Sequence, residues 1–346
     1  MKPLSSCGPF ALALSVSLGI AFATQAAEDD ALLRDARRLF ALLPKDMATA
    51  QRPITPALVE LGRALFFDPR MSVDGTASCA RCHQPALYGG DALAKSHGHH
   101  DRLNTRNAPT VLNAALQIKQ HWTGNREDVE DQATKALVGA ASYGNPNFEV
   151  PMARLKAIAG YQPLFRAAFP GDSNPITPEN WGRAIGAYER TLVSRSRFDE
   201  FLDGKRDALS ADERAGLRAF IDTGCVSCHN GVGIGGGEFK KFGVVEDYWK
   251  ATASGEIDEG RALDSKKPED KFVFKVPTLR NVAMTGPYFH DGSVGSLEAA
   301  VRTMAHVQLG AMPSNKEVQD IAAFLGSLTG PLPQNFATAP ALPAER

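Results

Sequence analysis

The sequence of 346 residues predicts a mainly α-helical protein that is built from two similar halves, with long loops and little sheet. A short cysteine motif occurs twice, as CARCH at residues 79–83 and CVSCH at residues 225–229. Each copy follows a predicted helix and precedes glycines. Apolar residues recur at helical spacing through most of the chain, and no long run alternates with the period of two that is typical of a half-buried strand.

A Cys-x-x-Cys-His motif is typical of a covalently attached c-type haem. The two thiols become thioethers, and the adjacent histidine is one axial ligand of the iron. A single copy would also suit a redox dithiol, a disulfide or half of a zinc site, but two copies that both end in histidine favour haem. The predicted attachment residues and proximal ligands are Cys79, Cys82 and His83, together with Cys225, Cys228 and His229.

Residues 1–26 have the pattern of a secretory signal peptide, with a short positive start, an apolar run over 10–23 and small residues before a cleavage point. That run is too short to span a bilayer comfortably, although an uncleaved anchor is the alternative. Of the five cysteines, Cys7 lies in this segment and the other four belong to the motifs. The mature chain is therefore predicted to be periplasmic, without a free thiol or a structural disulfide.

The N-terminal half is predicted to contain helices that are separated by loops. The first spans residues 28–43 and ends at Pro44. The second begins at Thr55, which reads as an N-cap, with Pro56 in the first helical position. Further helices are predicted over 111–116, 128–140, 151–168 and 178–193.

The C-terminal half is predicted to begin with a charged hinge over 195–204. Ser210 and Glu213 form a capping-box pattern that opens the helix before the second motif. The last helices are predicted over 297–304 and 316–328. The domain boundaries that follow are 27–194 and 195–332, with a loose Pro- and Ala-rich tail over 333–346.

The sixth ligands of the two irons decide the function. Two strong ligands at both irons indicate electron transfer, whereas an openable iron allows peroxide or oxygen chemistry. Spacing alone does not choose among the three histidines that follow the first motif. For the second haem a methionine is favoured, because a thioether raises the reduction potential. The candidates are His97, His99 and His100 for the first haem, and Met284, Met304, Met312, Tyr288 and His306 for the second.

As a set, several segments resemble the bacterial di-haem cytochrome c peroxidase family, which also contains the MauG-type protein oxidases. They occur in the family's order over nearly the whole mature chain. The segments are LGRALFFDPR at 61–70, NAPTVLNA at 107–114, WTG at 122–124, FKVPTLRNV at 274–282, GPYFHDGS at 286–293 and QLG at 308–310.

This resemblance implies a peroxidatic N-terminal domain and an electron-transfer C-terminal domain. His99 matches the removable distal ligand of the first haem, and Met304 matches the sixth ligand of the second. MauG-type enzymes have a tyrosine in place of that methionine, so Met304 favours the peroxidase branch. Trp122 matches the aromatic residue between the haems. An interdomain calcium is implied, with the Asn107 side chain and the carbonyls of Thr285 and Pro287 as ligands.

The resemblance departs from the family at the peroxide pocket, which holds a Gln and a Glu. Gln132 matches the first. The Glu is expected about ten residues later, where this chain has Ser142. Glu149 follows an Asn-Pro pair, as the family's Glu does, so it is the predicted acid–base residue if the loop carries an insertion.

The implied activity is the reduction of hydrogen peroxide to water with electrons from a small donor, either a cytochrome c or a blue copper protein. His99 would leave the iron, Gln132 would orient the peroxide and Glu149 would move a proton. A homodimer is expected, and the near-zero net charge argues against nucleic-acid binding. The competing interpretations are a MauG-type oxidase that modifies a partner protein and a non-enzymatic di-haem electron carrier.

Overall fold

The computed structural model describes residues 28–345, so the predicted signal peptide at 1–26 lies outside the described part. Within that part no helix has the length and apolar character needed to cross a membrane. The predicted mainly helical fold with little sheet is confirmed. The helices are 28–39 (α1), Pro56–Phe67 (α2), Cys79–Cys82 (α3), Val129–Ala136 (α4), Glu149–Ala157 (α5), Tyr161–Ala168 (α6), Pro178–Glu189 (α7), Arg197–Leu202 (α8), Ala211–Asp222 (α9), Tyr248–Ala251 (α10), Ala262–Ser265 (α11), Leu297–Leu309 (α12), Asn315–Ser327 (α13) and Gln334–Ala337 (α14).

One hydrophobic core lies among α2, α4, α5, α6 and α7. Thr55 caps α2 as predicted, since its hydroxyl accepts a hydrogen bond from the Leu58 amide at 3.3 Å. Gly62 lets α2 cross α7 closely, because a Cβ there would lie 1.9 Å from the carbonyl oxygen of Ala184. This core holds α3, and with it the first cysteine motif, against α2.

A second core joins α1, α8, α9 and α13. The predicted capping box opens α9, where Ser210 and Glu213 bond to each other's backbone amides. Gly216 allows close contact with α13, because a Cβ there would lie 1.8 Å from the carbonyl oxygen of Asp320. Helix α1 belongs to this core, although its sequence position places it in the N-terminal half.

Three predicted elements differ from the structure. The segment 111–116 is helical only as a 3₁₀ turn, Ala114–Leu116, because Asn113 before it is left-handed with φ 60°. The segment 151–168 is two helices, since α5 ends at Ala157 and α6 starts at Tyr161. The expected hinge over 195–204 contains α8, which is anchored by the fully buried Phe198.

The tail that was expected to be loose packs against the N-terminal core. Phe336 is fully buried and makes an edge contact with Phe66 at 6.1 Å between ring centroids. The Arg63 guanidinium donates to the carbonyl oxygens of Asn335 and Thr338, at 2.7 Å each. A buried aromatic residue and satisfied backbone carbonyls hold this segment in place, despite its Pro-rich composition.

The small sheet in the described chain is a two-stranded antiparallel ribbon. Strand β1, Phe239–Lys241, pairs with β2, Val273–Lys275, so that Phe239 lies opposite Lys275. This ribbon follows the second motif in sequence, and residues of both strands line the cavity that is described below.

A buried ion pair ties three distant segments together. The Arg280 guanidinium is fully buried and donates to Asp199 Oδ2 at 2.8 Å, to the Val232 carbonyl at 2.7 Å and to the Ala41 carbonyl at 3.2 Å. Asp199 Oδ1 also accepts the amide of Leu43 at 3.1 Å. The pair therefore joins the end of α1, the start of α8 and the loop after the second motif.

Replacing Arg280 by methionine should destabilise the fold strongly, because it leaves the Asp199 carboxylate buried without its cation. We expect a loss of about 3–5 kcal/mol in the free energy of unfolding, measured by denaturant titration. The control is Arg195→Met, which removes the half-exposed Arg195–Asp203 pair and should cost less than about 1 kcal/mol. Equal losses in the two variants would contradict this account.

Candidate haem sites

Each cysteine motif is one helical turn. The first forms α3, and the second contains the 3₁₀ turn Cys225–Ser227. The amide of His83 donates to the Cys79 carbonyl, and the amide of His229 to the Cys225 carbonyl, at 3.0 Å in both. Residues three and four apart on a helical turn share a face. Both thiols and the imidazole of each motif therefore lie on the same side of the helical turn, which the attachment of a single porphyrin requires.

Nδ1 of each predicted proximal histidine faces a backbone carbonyl oxygen. Nδ1 of His83 lies 3.0 Å from the Gly89 carbonyl oxygen, and Nδ1 of His229 lies 3.3 Å from that of Ile234. A carbonyl can only accept, so Nδ1 carries the proton and Nε2 is left as a bare metal ligand. Burial lowers the pKa of His229 to about 4 and also lowers that of His83, which keeps both rings neutral.

The four motif cysteines are free thiols in the structure, so no disulfide joins them. Burial raises the pKa of Cys79 to about 12 and those of Cys82 and Cys225 to about 11. Thiols of this kind are protonated at neutral pH, whereas a redox dithiol needs a lowered pKa. The geometry and the protonation state both fit covalent haem attachment better than the redox alternative.

A largely apolar cavity of about 220 Å³ lies over the second motif. Cys225, Cys228 and His229 line it together with Met304 from α12. Of the other sixth-ligand candidates only Tyr288 reaches this cavity. The excluded candidates are Met284, which is 47% exposed, Met312, which is 81% exposed, and His306, which lies 2.5 Å from Glu246.

The same cavity extends to the residues that are expected between the two haems. Trp122 lines it, and its indole Nε1 donates to the Asn107 carbonyl at 3.0 Å. Asn107, Thr285 and Pro287 also line it, so the three candidate calcium ligands lie around one space. The side-chain nitrogen Nδ2 of Asn107 donates a hydrogen bond to the Leu93 carbonyl at 2.8 Å. Its Oδ1 accepts no hydrogen bond within the described residues, which fits a cation ligand.

The three histidines after the first motif have different surroundings. His99 is only 6% exposed, and its Nε2 donates to the Ala140 carbonyl at 2.9 Å, while its Nδ1 has no partner. His100 is exposed, and Nδ1 of His97 lies 3.1 Å from the Asp101 carbonyl oxygen. Gly144 makes room for His99, because a Cβ there would lie 2.1 Å from Nε2. His99 is therefore the buried member of the three.

The two predicted peroxide-pocket residues lie on α4 and α5, and no hydrogen bond joins them within residues 28–345. Gln132 is partly buried on α4, and its side-chain amide makes no hydrogen bond within residues 28–345. Glu149 is exposed in the first turn of α5. Ser142 instead lies next to His99, whose amide donates to its carbonyl at 2.9 Å.

Sequence reasoning missed two buried polar residues near the first motif. The Tyr143 hydroxyl lies 3.4 Å from Cys79 Sγ, directly after the Ser142 position where the pattern departed from the family. Glu189 is 4% exposed, and burial, followed by the charge of Glu130, raises its pKa to about 8. A carboxylate on the apolar face of α7 was the available signal for Glu189.

Comparison with known proteins decides the family. Residues 56–207 match the family model described as di-haem cytochrome c peroxidase. Over 331 residues the chain is 39% identical to cytochrome c551 peroxidase of Pseudomonas aeruginosa, covering 95% of this chain and 94% of the relative. The chain belongs to the di-haem cytochrome c peroxidase family. The family description implies two haems, and the resemblance inferred from the motifs is confirmed.

Other relatives show the breadth of this family. The chain is 37% identical over 322 residues to cytochrome c551 peroxidase of Nitrosomonas europaea, covering 92% of this chain and 91% of the relative. It is 35% identical over 288 residues to the methylamine utilization protein MauG of Methylorubrum extorquens, covering 80% and 79%. A solved MauG-like protein associated with microbial copper homeostasis superposes with a TM-score of 0.73 at 28% identity, covering 84% and 94%.

Replacing Met304 by leucine should remove the thioether from the second haem while keeping its apolar volume. We expect the spectral signature of His–Met coordination to disappear and the reduction potential of that haem to fall, because methionine ligation raises it. Visible spectroscopy and a redox titration of the di-haem protein measure both.

Met284→Leu is the matched control, because Met284 lies at the surface. An unchanged spectrum in the Met304 variant would leave Tyr288 as the remaining candidate in the cavity.

Proposed function

We propose that this protein is a periplasmic cytochrome c peroxidase that converts hydrogen peroxide, two electrons and two protons into two molecules of water. The observation that supports this most directly is the cavity that places His229 and Met304 in one space with Trp122. In this cavity His229 and Met304 would be the two strong axial ligands of one haem, and Trp122 would connect that haem to the N-terminal half. The buried His99 near the first motif provides for a second haem with a different sixth ligand.

The haems and the protein side chains would have different roles in the reaction. When bound, the haems supply the redox chemistry, and the protein supplies ligation, orientation and proton transfer. The residues that would hold the haems are Cys79, Cys82 and His83 for the first, and Cys225, Cys228, His229 and Met304 for the second.

Electrons from the donor protein would enter at the open side of the second cavity. Lys241 and Leu309 line this cavity and are also exposed, Leu309 by 36%. The neighbouring Val244 and Val245 are 63% and 59% exposed. An apolar surface with lysines at its edge suits the contact face of a small cytochrome c or a blue copper protein, because transient partners bind with a modest, partly polar interface.

Trp122 is held rigidly where the two halves meet. Its indole donates to the Asn107 carbonyl at 3.0 Å, and its own carbonyl accepts the Lys275 amide at 2.7 Å. The backbone amide of Asn107 in turn donates a hydrogen bond to the His290 carbonyl at 2.8 Å. These bonds hold Trp122 at the wall of the second cavity, which the candidate calcium ligands also line. The calcium ion and the homodimer stay predictions.

His99 is suited to act as a removable ligand. Its Nε2 carries a proton when it donates to the Ala140 carbonyl, which leaves Nδ1 without a partner and with a bare lone pair. The Ala140 carbonyl would hold the ring in this position when it is detached from the iron. Gly98 and Gly144 allow this arrangement, since a Cβ on either would meet the facing segment at 2.0 or 2.1 Å.

Gln132 and Glu149 complete the proposal at the first haem. The free amide of Gln132 would orient peroxide, and Glu149 would move a proton from one peroxide oxygen to the other. Because Glu149 is exposed, its role requires the loop before α5 to bring the carboxylate inward.

A second candidate is a MauG-type oxidase that acts on a partner protein. The observation that favours it is Tyr288, which lines the second cavity beside Met304. The Met304 experiment above separates the two functions, because the oxidase interpretation needs tyrosine ligation at this haem.

Replacing His99 by glycine should make the fully oxidised enzyme consume peroxide without prior reduction, because the removable ligand is absent. Stopped-flow measurement of peroxide consumption and the spectrum of the oxidised protein test this. An unchanged spectrum would show that His99 is not a haem ligand.

Gly144→Ala is the companion variant, and it should slow activation of the wild-type site because the added methyl occupies the place of the detached His99 ring. Its control is Gly171→Ala. Gly171 also has a positive φ, of 88°, but a Cβ there would meet nothing within 4 Å.

Replacing Glu149 by glutamine should lower kcat by about 10²-fold or more if this carboxylate transfers the proton. Steady-state peroxidase assays measure the effect. Glu127→Gln is the control, because Glu127 is an exposed carboxylate on the preceding segment and should leave kcat unchanged. Full activity of the Glu149 variant would reject this role and make the buried Glu189 the next candidate.

A further inference from the structure

Lys275 is a buried cation without a counter-ion. Lys275 is 3% exposed, and its ammonium group donates a hydrogen bond to Oε1 of Gln117. Within residues 28–345 no carboxylate pairs with it. Burial lowers the pKa of Lys275 to about 7. A buried ammonium group is costly unless an anion compensates it, so this position indicates that a negative charge belongs nearby.

The cavity around Lys275 has an unbalanced charge. Lys240, Lys241 and Lys275 line it, and no Asp or Glu is among its lining residues in the described chain. Lys240 and Lys241 are exposed, and Lys240 pairs with Glu238 at 3.1 Å. Water and salt compensate these two. Lys275 is the cavity cation that neither solvent nor a carboxylate of the described chain compensates.

The backbone holds Lys275 firmly in this position. Its amide donates to the Trp122 carbonyl at 2.7 Å, and its place opposite Phe239 in the β1–β2 ribbon fixes the direction of the strand. The neighbouring His121 does not supply the missing anion. Its Nδ1 lies 2.8 Å from Asn125 Oδ1, and burial lowers its pKa to about 4, so the ring is neutral.

We propose that the Lys275 ammonium group and the Gln117 amide form a carboxylate-binding site in the second cavity, and that its ligand is a carboxylate of the haem periphery. This inference rests on the proposed function, which places a haem in this cavity. A charge-assisted hydrogen bond in a water-poor site is strong and directional. The pair would hold and neutralise one carboxylate of the haem, in addition to the thioethers and axial ligands that would attach it.

The charge of Lys275 would also act on the reduction potential. A nearby positive charge stabilises the reduced haem, which has one positive charge fewer than the oxidised haem. Because Lys275 lines the cavity over the second motif, this effect would fall on the second haem.

The test compares Lys275→Met and Lys275→Arg in the purified di-haem protein. Haem content and the reduction potential of each haem are measured by spectroelectrochemical titration. We expect Lys275→Met to keep two haems while the potential of the second haem falls and that of the first is unchanged. Lys275→Arg keeps the charge, so the potential should stay close to that of the wild type. Lys240→Met is the control for an exposed lysine of the same cavity and should have little effect.

An unchanged potential of the second haem in Lys275→Met would overturn the proposal. If that variant does not fold, Lys275→Gln provides the same measurement, because it also removes the charge but keeps a hydrogen-bond donor. A wild-type protein with fewer than two haems would instead contradict the proposed function, so the two failures are distinguishable.

Discussion

The structure depends on a neutral, buried imidazole that is held from behind by a backbone carbonyl. This arrangement occurs at both His83 and His229 and leaves one nitrogen free for a metal. It requires the loop after each motif to turn back tightly onto the ring. Gly235 shows the constraint, because with a φ of 117° a Cβ there would lie 2.1 Å from the Pro277 carbonyl oxygen. The glycines after each motif are therefore part of the ligand geometry.

The two cores and the cavity between them follow from this requirement. Each core presents one short motif turn, and the second cavity reaches across to Asn107 and Trp122 from the N-terminal half. The polar groups at this junction are mostly satisfied by backbone bonds, as for Trp122 and Asn107. Lys275 is the exception among the cations that line the cavity. A buried ammonium group without a counter-ion marks a place where a negatively charged ligand completes the structure.

Locally encoded features were predicted well. The Thr55 cap and the Ser210–Glu213 capping box were confirmed, because each depends on residues within four positions of one another. Errors arose where distant contacts decide the structure. The segment 195–204 has the composition of a hinge but contains a helix that Phe198 anchors in the second core. The tail has the composition of a loose segment, but Phe336 fills a space beside Phe66.

The sequence by itself determined the family and the helical class and predicted the two haem attachment sites, because these depend on short motifs and on periodicity. Only the tertiary structure decided which candidates are buried and which face the cavity. Met304 lines the cavity, whereas Met284 and Met312 are exposed. His99 is the buried histidine after the first motif, and Glu149 lies at the surface. Burial and charge compensation depend on residues that are more than a hundred positions apart, as Lys275 and Gln117 are, and no local pattern records such pairs.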